Sequence, residues 1–432
     1  MNYVPYEGKG MNTGLNSQVF KFDRNKFKIR IETEPRLLLL LLAFCEKNLV
    51  RYFVLAVSML PVVGMVSSFI IPTVYIILLL VYFQKYGTHI SISEASVVLF
   101  VTLAIVFSCI LYPENARYIL DSKNFWINIF PCLRYYIIGL ILIPDKKTMD
   151  IIGKASCMAI IVETLFVIVY MMPRGLMQSD DMSRSYQLLP NILFAINLAF
   201  NKRKVFPWVC SVVGIIYTLS MGSRGPVLVI AVYVFLKILQ SSNVKAWAKT
   251  LIGVVISALS VFFLKSSWYL SVLIFAKSTF TNLGVSTRII DLAIKGTVVS
   301  HLSGRDELYD VLIQKIAERP YIGYGVYGEW PWFHWNAHNM ALELMVHFGV
   351  ILGSLLLLWF MVLSIRAYVK TPNKISRDFL LIWICFIFVR GFFGGSYLQF
   401  GVYVLIGFAL RELRRVKYGY DRCEFEYVKN AH

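Results

Sequence analysis

The sequence predicts an all-α polytopic membrane protein of about twelve transmembrane helices, with one long extracytoplasmic loop between the ninth and tenth spans. Three observations lead there. Of the 432 residues 58% are apolar and only 16% charged, with a mean hydropathy of +0.64, well above the apolar share of soluble domains. The apolar runs recur at lengths of about 17–22 residues, enough for a helix to cross roughly 30 Å of hydrocarbon, whereas a β-barrel would show short alternating strands. The basic residues, finally, concentrate in alternate loops.

Residues 1–48 are predicted to be a basic cytoplasmic segment. They lack the compact order of a signal peptide, so insertion is expected to use the first spans. Within them "LLLLLLAFC" at 37–45 is too short to cross alone. It reads either as an interfacial helix or as an extension of the first span. Nine spans are expected within 49–264, at 51–66, 68–84, 95–112, 127–143, 155–172, 187–200, 205–221, 226–240 and 249–264. Three more, at 341–364, 378–396 and 398–410, precede a basic cytoplasmic tail at 411–432.

With the N-terminus inside, the short inner loops carry fourteen Lys and Arg residues, from Lys85 to Arg377. The short outer loops carry five, Arg117, Lys123, Arg174, Arg184 and Arg224. That asymmetry sets both termini in the cytoplasm and the 265–340 loop outside. It also explains the net charge of +18 without nucleic acid, since the cations form no single stripe.

In the loop, "RDELYDVLIQKIAERP" at 305–320 repeats Leu308, Leu312 and Ile316 every four residues and ends at Pro320, the pattern of an amphipathic helix. It is expected to lie on the outer membrane surface. No internal repeat is evident, which argues against a transporter built from two related halves.

The polar residues with chemical promise fall on the outer face, in "GSRGP" at 222–226, "SGRDELY" at 303–309 and "PYIGYGVYGEW" through "AHNMALELMVHFGVILG" at 320–353. Arg224 sits between glycines at a tight turn and Arg305 opens the loop helix. Two planar guanidinium forks on one face suit a dianionic phosphate group, although an arginine at a helix end also snorkels to lipid phosphates with no further role. His338 is followed by Asn339 and then a span, where a neutral imidazole can take a proton. His334, Trp330, Trp332, Phe333 and Trp335 read as an interfacial aromatic belt. His347 reads as a packed or interhelical hydrogen-bonding residue, and Gly349 with Gly353 as a close helix-packing pair.

Arg134, Glu163 and Arg390 lie inside apolar runs, where each needs a partner or a polar cavity. Arg134 and Glu163 are expected to pair. Arg390 is a candidate third phosphate contact, and Glu343 either orients His338 or acts as the base itself. The seven cysteines suggest neither a disulfide nor a metal cluster. The acidic pair Asp180 and Asp181 lacks a nearby histidine, and there is neither a GxSxG elbow nor a P-loop.

The "SRG" turn at 223–225, the long loop with "GR" at 304–305, "PYIGYG" at 320–325 and "HN" at 338–339 running into "LELMVHFGVILG" resemble the bacterial O-antigen polymerase and O-antigen ligase superfamily. Their order and topology, more than the short motifs, carry the resemblance over most of the chain. It implies a GT-C-like fold in the bacterial cytoplasmic membrane. The implied reaction transfers a glycan from an undecaprenyl-diphosphate donor on the outer face, with no cofactor and no metal. Arg224 and Arg305 would hold the diphosphate, with Arg288 a rival for the second contact and Arg390 an addition. His338 would activate the acceptor hydroxyl, with Glu343 beside it, while Tyr324, Trp332, Trp335 and Asn339 would position glycan or loop. The implied partners are the lipid-linked oligosaccharide, membrane lipids, a chain-length regulator and a flippase. The ligase pattern asks for His-Asn, nine residues and then G-x-x-G, but position 352 is Leu and the second glycine is Gly353. This departure favours the polymerase over the ligase, and a lipid-linked oligosaccharide flippase is the remaining alternative.

Overall fold

The computed structural model describes residues 71–86, 91–120, 130–142, 144–171, 182–221, 224–240, 306–333 and 336–418, with isolated positions between 274 and 291. These residues are all-helical, without a strand among them. The helices are α1 (Ile71–Tyr86), α2 (Ile92–Leu111), α3 (Pro113–Ile119), α4 (Phe130–Ile141), α5 (Lys146–Phe166), α6 (Met182–Lys202), α7 (Val205–Ser220) and α8 (Arg224–Gln240). After the loop come α9 (Asp306–Glu318), α10 (Trp330–Phe333), α11 (Met340–Lys370), α12 (Lys374–Ile384), α13 (Arg390–Phe393) and α14 (Phe400–Tyr418). Helices thus occur where ten of the expected spans lie. The runs at 51–66 and 249–264 fall outside the described residues.

Three of these helices are long and apolar enough to cross a membrane: α2, the continuous run Lys146–Tyr170, and α11. Their surfaces agree. On α2, Leu99, Leu103, Phe107 and Ile110 are exposed, as are Leu355, Leu358, Val362 and Ile365 on α11. Helices that turn apolar residues outward as well as inward match a lipid surround rather than water.

The core is built mainly from α4, α5, α6, α7, α8, α11, α12 and α14. Helix α14 lies against α4 at backbone distance, because a Cβ on Gly139 would fall 3.0 Å from Phe408 N and one on Gly407 3.0 Å from Leu140 N. Small residues at such a crossing allow the van der Waals contact that holds membrane helices together. Polar pairs tie the helix ends. At one end Lys237 Nζ lies 2.6 Å from Asp378 Oδ1, Asn201 donates to Asp378 Oδ2 at 3.2 Å, and Lys202 reaches Asp150 at 2.5 Å. Elsewhere, Arg414 pairs with Glu94 at 2.7 Å, and Glu94 also closes the capping box that starts α2 at Ser91.

Several expectations are corrected here. Glu163 accepts from Tyr217 at 2.7 Å and lies 3.5 Å from Arg184, while Arg134 stacks over the Tyr75 ring at 4.2 Å and the Tyr135 ring at 5.1 Å. Aromatic faces are thus among the neighbours of this cation. Helix α9 forms as the four-residue repeat predicts, but Leu308, Leu312 and Ile316 bury against Ala337 and Val346. Its apolar stripe is covered by the chain itself and not by a bilayer. The span expected at 341–364 is not one straight helix: at Gly349 the backbone leaves helical geometry (φ 78, ψ 169). The continuous helix then runs over 350–370, about 31 Å long and sufficient to cross the hydrocarbon. Gly349 and Gly353 thus belong to a break, where a Cβ on Gly353 would meet Leu344 O of the preceding segment at 2.6 Å, and not to a contact between helices.

Candidate functional site

The break at Gly349 creates the site. A left-handed backbone cannot continue the i to i−4 ladder, so the carbonyls of Val346 and His347 are freed. Tyr324 N donates to Val346 O at 2.8 Å, Gly325 N to His347 O at 2.9 Å, and Val350 N to Pro320 O at 2.7 Å. The 320–325 stretch, with Gly323 at φ 70 and Gly325 at φ 77, is thereby inserted against the helix. Its other side meets the end of α2. Tyr112 OH donates to Gly323 O at 2.9 Å, Asn115 Nδ2 to Tyr324 O at 2.7 Å, and Val326 N to Ser108 Oγ at 2.8 Å. The "PYIGYG" motif is thus a wedge between α2 and α11, its glycines required by close approach and sign of φ.

The wedge brings Glu329 to the first segment of α11. Glu329, Glu343 and His347 are 0%, 0% and 1% exposed. Glu329 Oε2 contacts His347 Nε2, and His347 Nδ1 is 2.7 Å from Tyr397 OH. Ser396 Oγ donates to Glu343 Oε1 at 2.7 Å and Tyr397 N to Glu343 Oε2 at 3.0 Å. Glu343, expected beside His338, thus anchors the 396–397 turn. His347 is buried and hydrogen-bonded, as expected, but to a loop and a turn. Glu329 was missed: in "YGEW" nothing in the sequence distinguishes a buried loop carboxylate from a solvated one.

His338 has a left-handed backbone at φ 55 and is partly exposed. Asn339 caps α11, its side-chain oxygen accepting from Ala341 N at 3.0 Å and Leu342 N at 3.2 Å, and its Nδ2 reaching Phe392 O at 3.5 Å. Asn339 therefore positions the helix start, as Asn does at N-caps generally. Two residues before Phe392, the Arg390 guanidinium lies over the rings of Tyr186 at 4.8 Å and Phe386 at 5.1 Å. Its Nε is sealed from solvent without a hydrogen-bond partner. Tyr186 in turn closes on Gly225, where a Cβ would lie 3.0 Å from its Cζ. Tyr186 thus lies between Arg390 and Gly225, the residue after Arg224, while Asn339, the residue after His338, reaches the turn that follows Arg390. Of Arg224 the backbone alone is described, while Arg288, Arg305 and Trp335 lie outside the described residues.

Tyr324 and Trp332 meet edge to face at 4.8 Å. Arg319 stacks over Tyr324 at 4.7 Å and Lys315 approaches Trp332 at 5.4 Å. Tyr324 OH and Lys315 Nζ both donate to Glu318 Oε2, at 2.9 and 2.7 Å. These two bonds hold the Glu318 carboxyl below its ordinary range, the lysine contributing most. Arg319, exposed and unconsidered from sequence, is a further cation on this surface.

An apolar cavity of about 460 Å³ opens between α2, α11 and α14, lined by Phe100, Leu344, Phe348, Trp359 and Val402 among others and reaching Tyr397. No family model matches the chain, and neither a curated protein nor a solved structure does.

Proposed function

We propose that the chain is a glycosyltransferase of the polysaccharide-polymerase type, joining lipid-diphosphate-linked repeat units on the outer face of the bacterial cytoplasmic membrane. The twelve-span, GT-C-like architecture with both termini inside is part of the same reading. The observation that carries it is Arg390. A guanidinium packed on two aromatic faces, with a sealed and unsatisfied Nε, is a cation prepared for an anion. It stands next to the turn that bears His338. The apolar cavity beside the same turn suits a polyprenyl tail, so that lipid, diphosphate and base would lie in sequence.

In this mechanism the acceptor sugar hydroxyl attacks the anomeric carbon as His338 takes its proton. The new glycosidic bond forms, the bond to phosphate oxygen breaks, and the lipid diphosphate departs with the electron pair. Arginines stabilise the charge that develops on it, which makes a metal at the reacting atoms unnecessary. Arg390 and Arg224 hold the diphosphate, with Arg305 and Arg288 as candidates from the loop. Tyr324 and Trp332 offer faces to sugar rings.

The test uses liposomes containing the purified protein and one lipid-diphosphate-linked repeat unit, with products separated by size. A ladder of lengthening chains is the expected result. Transfer to lipid A core in place of a ladder makes the protein a ligase. Movement of the intact substrate across the bilayer, without transfer, makes it a transporter.

A further inference from the structure

The Glu329, Glu343 and His347 cluster is not used by the transfer chemistry, and its composition needs an explanation. Glu343 and His347 are one turn apart on the same face of α11, and Glu329 arrives from the wedge. One donor atom from each lies within 4.8 Å of the other two. Two carboxylates so close and so dry repel unless a proton or a metal cation is shared among them and His347, which contacts Glu329.

The neighbouring groups orient the cluster without neutralising it. Ser396 and Tyr397 N satisfy Glu343, and Tyr397 OH engages the far nitrogen of the His347 ring. Fixing the second ring nitrogen and the carboxylate in this way is how outer groups prepare metal ligands. A second observation points the same way: Glu329 Oε1 is sealed from solvent with no hydrogen-bond partner. That carboxylate therefore has coordinating capacity that the protein leaves unused.

We propose that Glu329, Glu343 and His347 bind one divalent transition cation, with zinc the best fit, which clasps the loop to the broken start of α11. One imidazole and two carboxylates form a mixed nitrogen and oxygen set that suits zinc, whereas calcium and magnesium sites are built from oxygen alone. Zinc–ligand bonds of about 2.0–2.2 Å place tetrahedral donors roughly 3.4 Å apart, a spacing this cluster reaches by small side-chain rotations. On binding, His347 Nδ1 keeps its proton and donates to Tyr397 OH, while Nε2 faces the ion. The cation is structural and takes no part in glycosyl transfer. It was not legible from the sequence because Glu329 lies on a loop 18 residues before His347, off the periodicity of α11, and only the wedge brings it near.

The experiment takes the full chain, without an affinity tag, in detergent. It is stripped with a chelator, dialysed against zinc chloride and measured for bound metal by mass spectrometry. One zinc per chain is expected, falling to near zero in Glu329→Gln and in His347→Gln. Zinc below about one ion per five chains overturns the proposal, since a site of this kind saturates at micromolar metal. So does stoichiometric zinc that persists in both variants, because the ion is then elsewhere. Should the variants fail to fold, thermal unfolding of the unmodified protein decides. Zinc is expected to raise the midpoint and magnesium to leave it unchanged, and no shift with zinc overturns the proposal.

Discussion

His338 adopts its left-handed backbone immediately before the Asn339 cap. Histidine is among the few side chains that tolerate this conformation, at a cost of roughly 1–2 kcal/mol that the surrounding contacts must offset. The cap and the Asn339–Phe392 bond supply that constraint, and the strain fixes the imidazole at the entrance of α11. His338→Ala is expected to abolish chain elongation in liposomes while leaving membrane insertion and the unfolding midpoint within normal mutational scatter. Unchanged elongation would remove it from the mechanism. For Arg390, Arg390→Ala is expected to weaken donor binding about 10- to 100-fold, the worth of one or two charge-assisted hydrogen bonds. Arg390→Lys is expected to restore little, because an ammonium reproduces neither the fork nor the stacking on Tyr186. Titration of donor binding checks both. Glu318 gives a pH signature. Its carboxyl is held below the usual 4.5 by Lys315 and Tyr324, so the stabilisation is complete above that pH and disappears as the pH falls through the lowered value. Glu318→Gln should therefore be slightly less stable than the unmodified chain at neutral pH and equal to it in strong acid, as unfolding at both pH values would show. Being exposed, the contribution is small.

Elements were more legible than contacts between them. Helices occur at all ten expected segments that fall among the described residues, with ends displaced by up to nine residues, because a bilayer-length run and a four-residue repeat are local signals. What those signals lack is partner identity. Gly349 and Gly353 fit a packing motif by spacing, yet the close helix crossing uses Gly139 and Gly407, far apart in the chain. Likewise the amphipathic α9 revealed an apolar stripe but not that protein would cover it. Of the candidate site, Asn339, next to His338, reaches Phe392 two residues after Arg390, and Tyr324 meets Trp332, whereas Glu329 was invisible and Glu343 took another partner. The break in α11 offers the sharpest check at this level. Gly349→Ala places a Cβ 2.5 Å from the Tyr321 carbonyl carbon in a conformation L residues avoid, which costs on the order of 1–2 kcal/mol before any clash. The wedge should be displaced, and limited proteolysis should cut within 319–329 much faster. Cleavage at the unmodified rate would mean that the break does not hold the loop.

Taken together, the helices form a frame whose polar pairs occupy the ends and whose exposed sides are apolar, with the cavity between α2, α11 and α14 as an opening in that frame. Filling it with Leu344→Trp or Val402→Phe is expected to weaken binding of donors with long prenyl tails while sparing a short-tailed analogue. Equal effects on both would show that the cavity does not house the tail. The break at Gly349 also has a temporal consequence. The wedge precedes α11 in the chain, so a ribosome produces residues 320–329 before the carbonyls of Val346 and His347 that will receive them. For that interval the segment has only the α2 side of its template, and the amides of Tyr324 and Gly325 must be satisfied by water or by a chaperone. Assembly of this region therefore cannot follow the order of synthesis: the last helices must be made before the loop ahead of them can fold, and a chain stalled before Val350 should be open to quality-control proteases even with every earlier span in place.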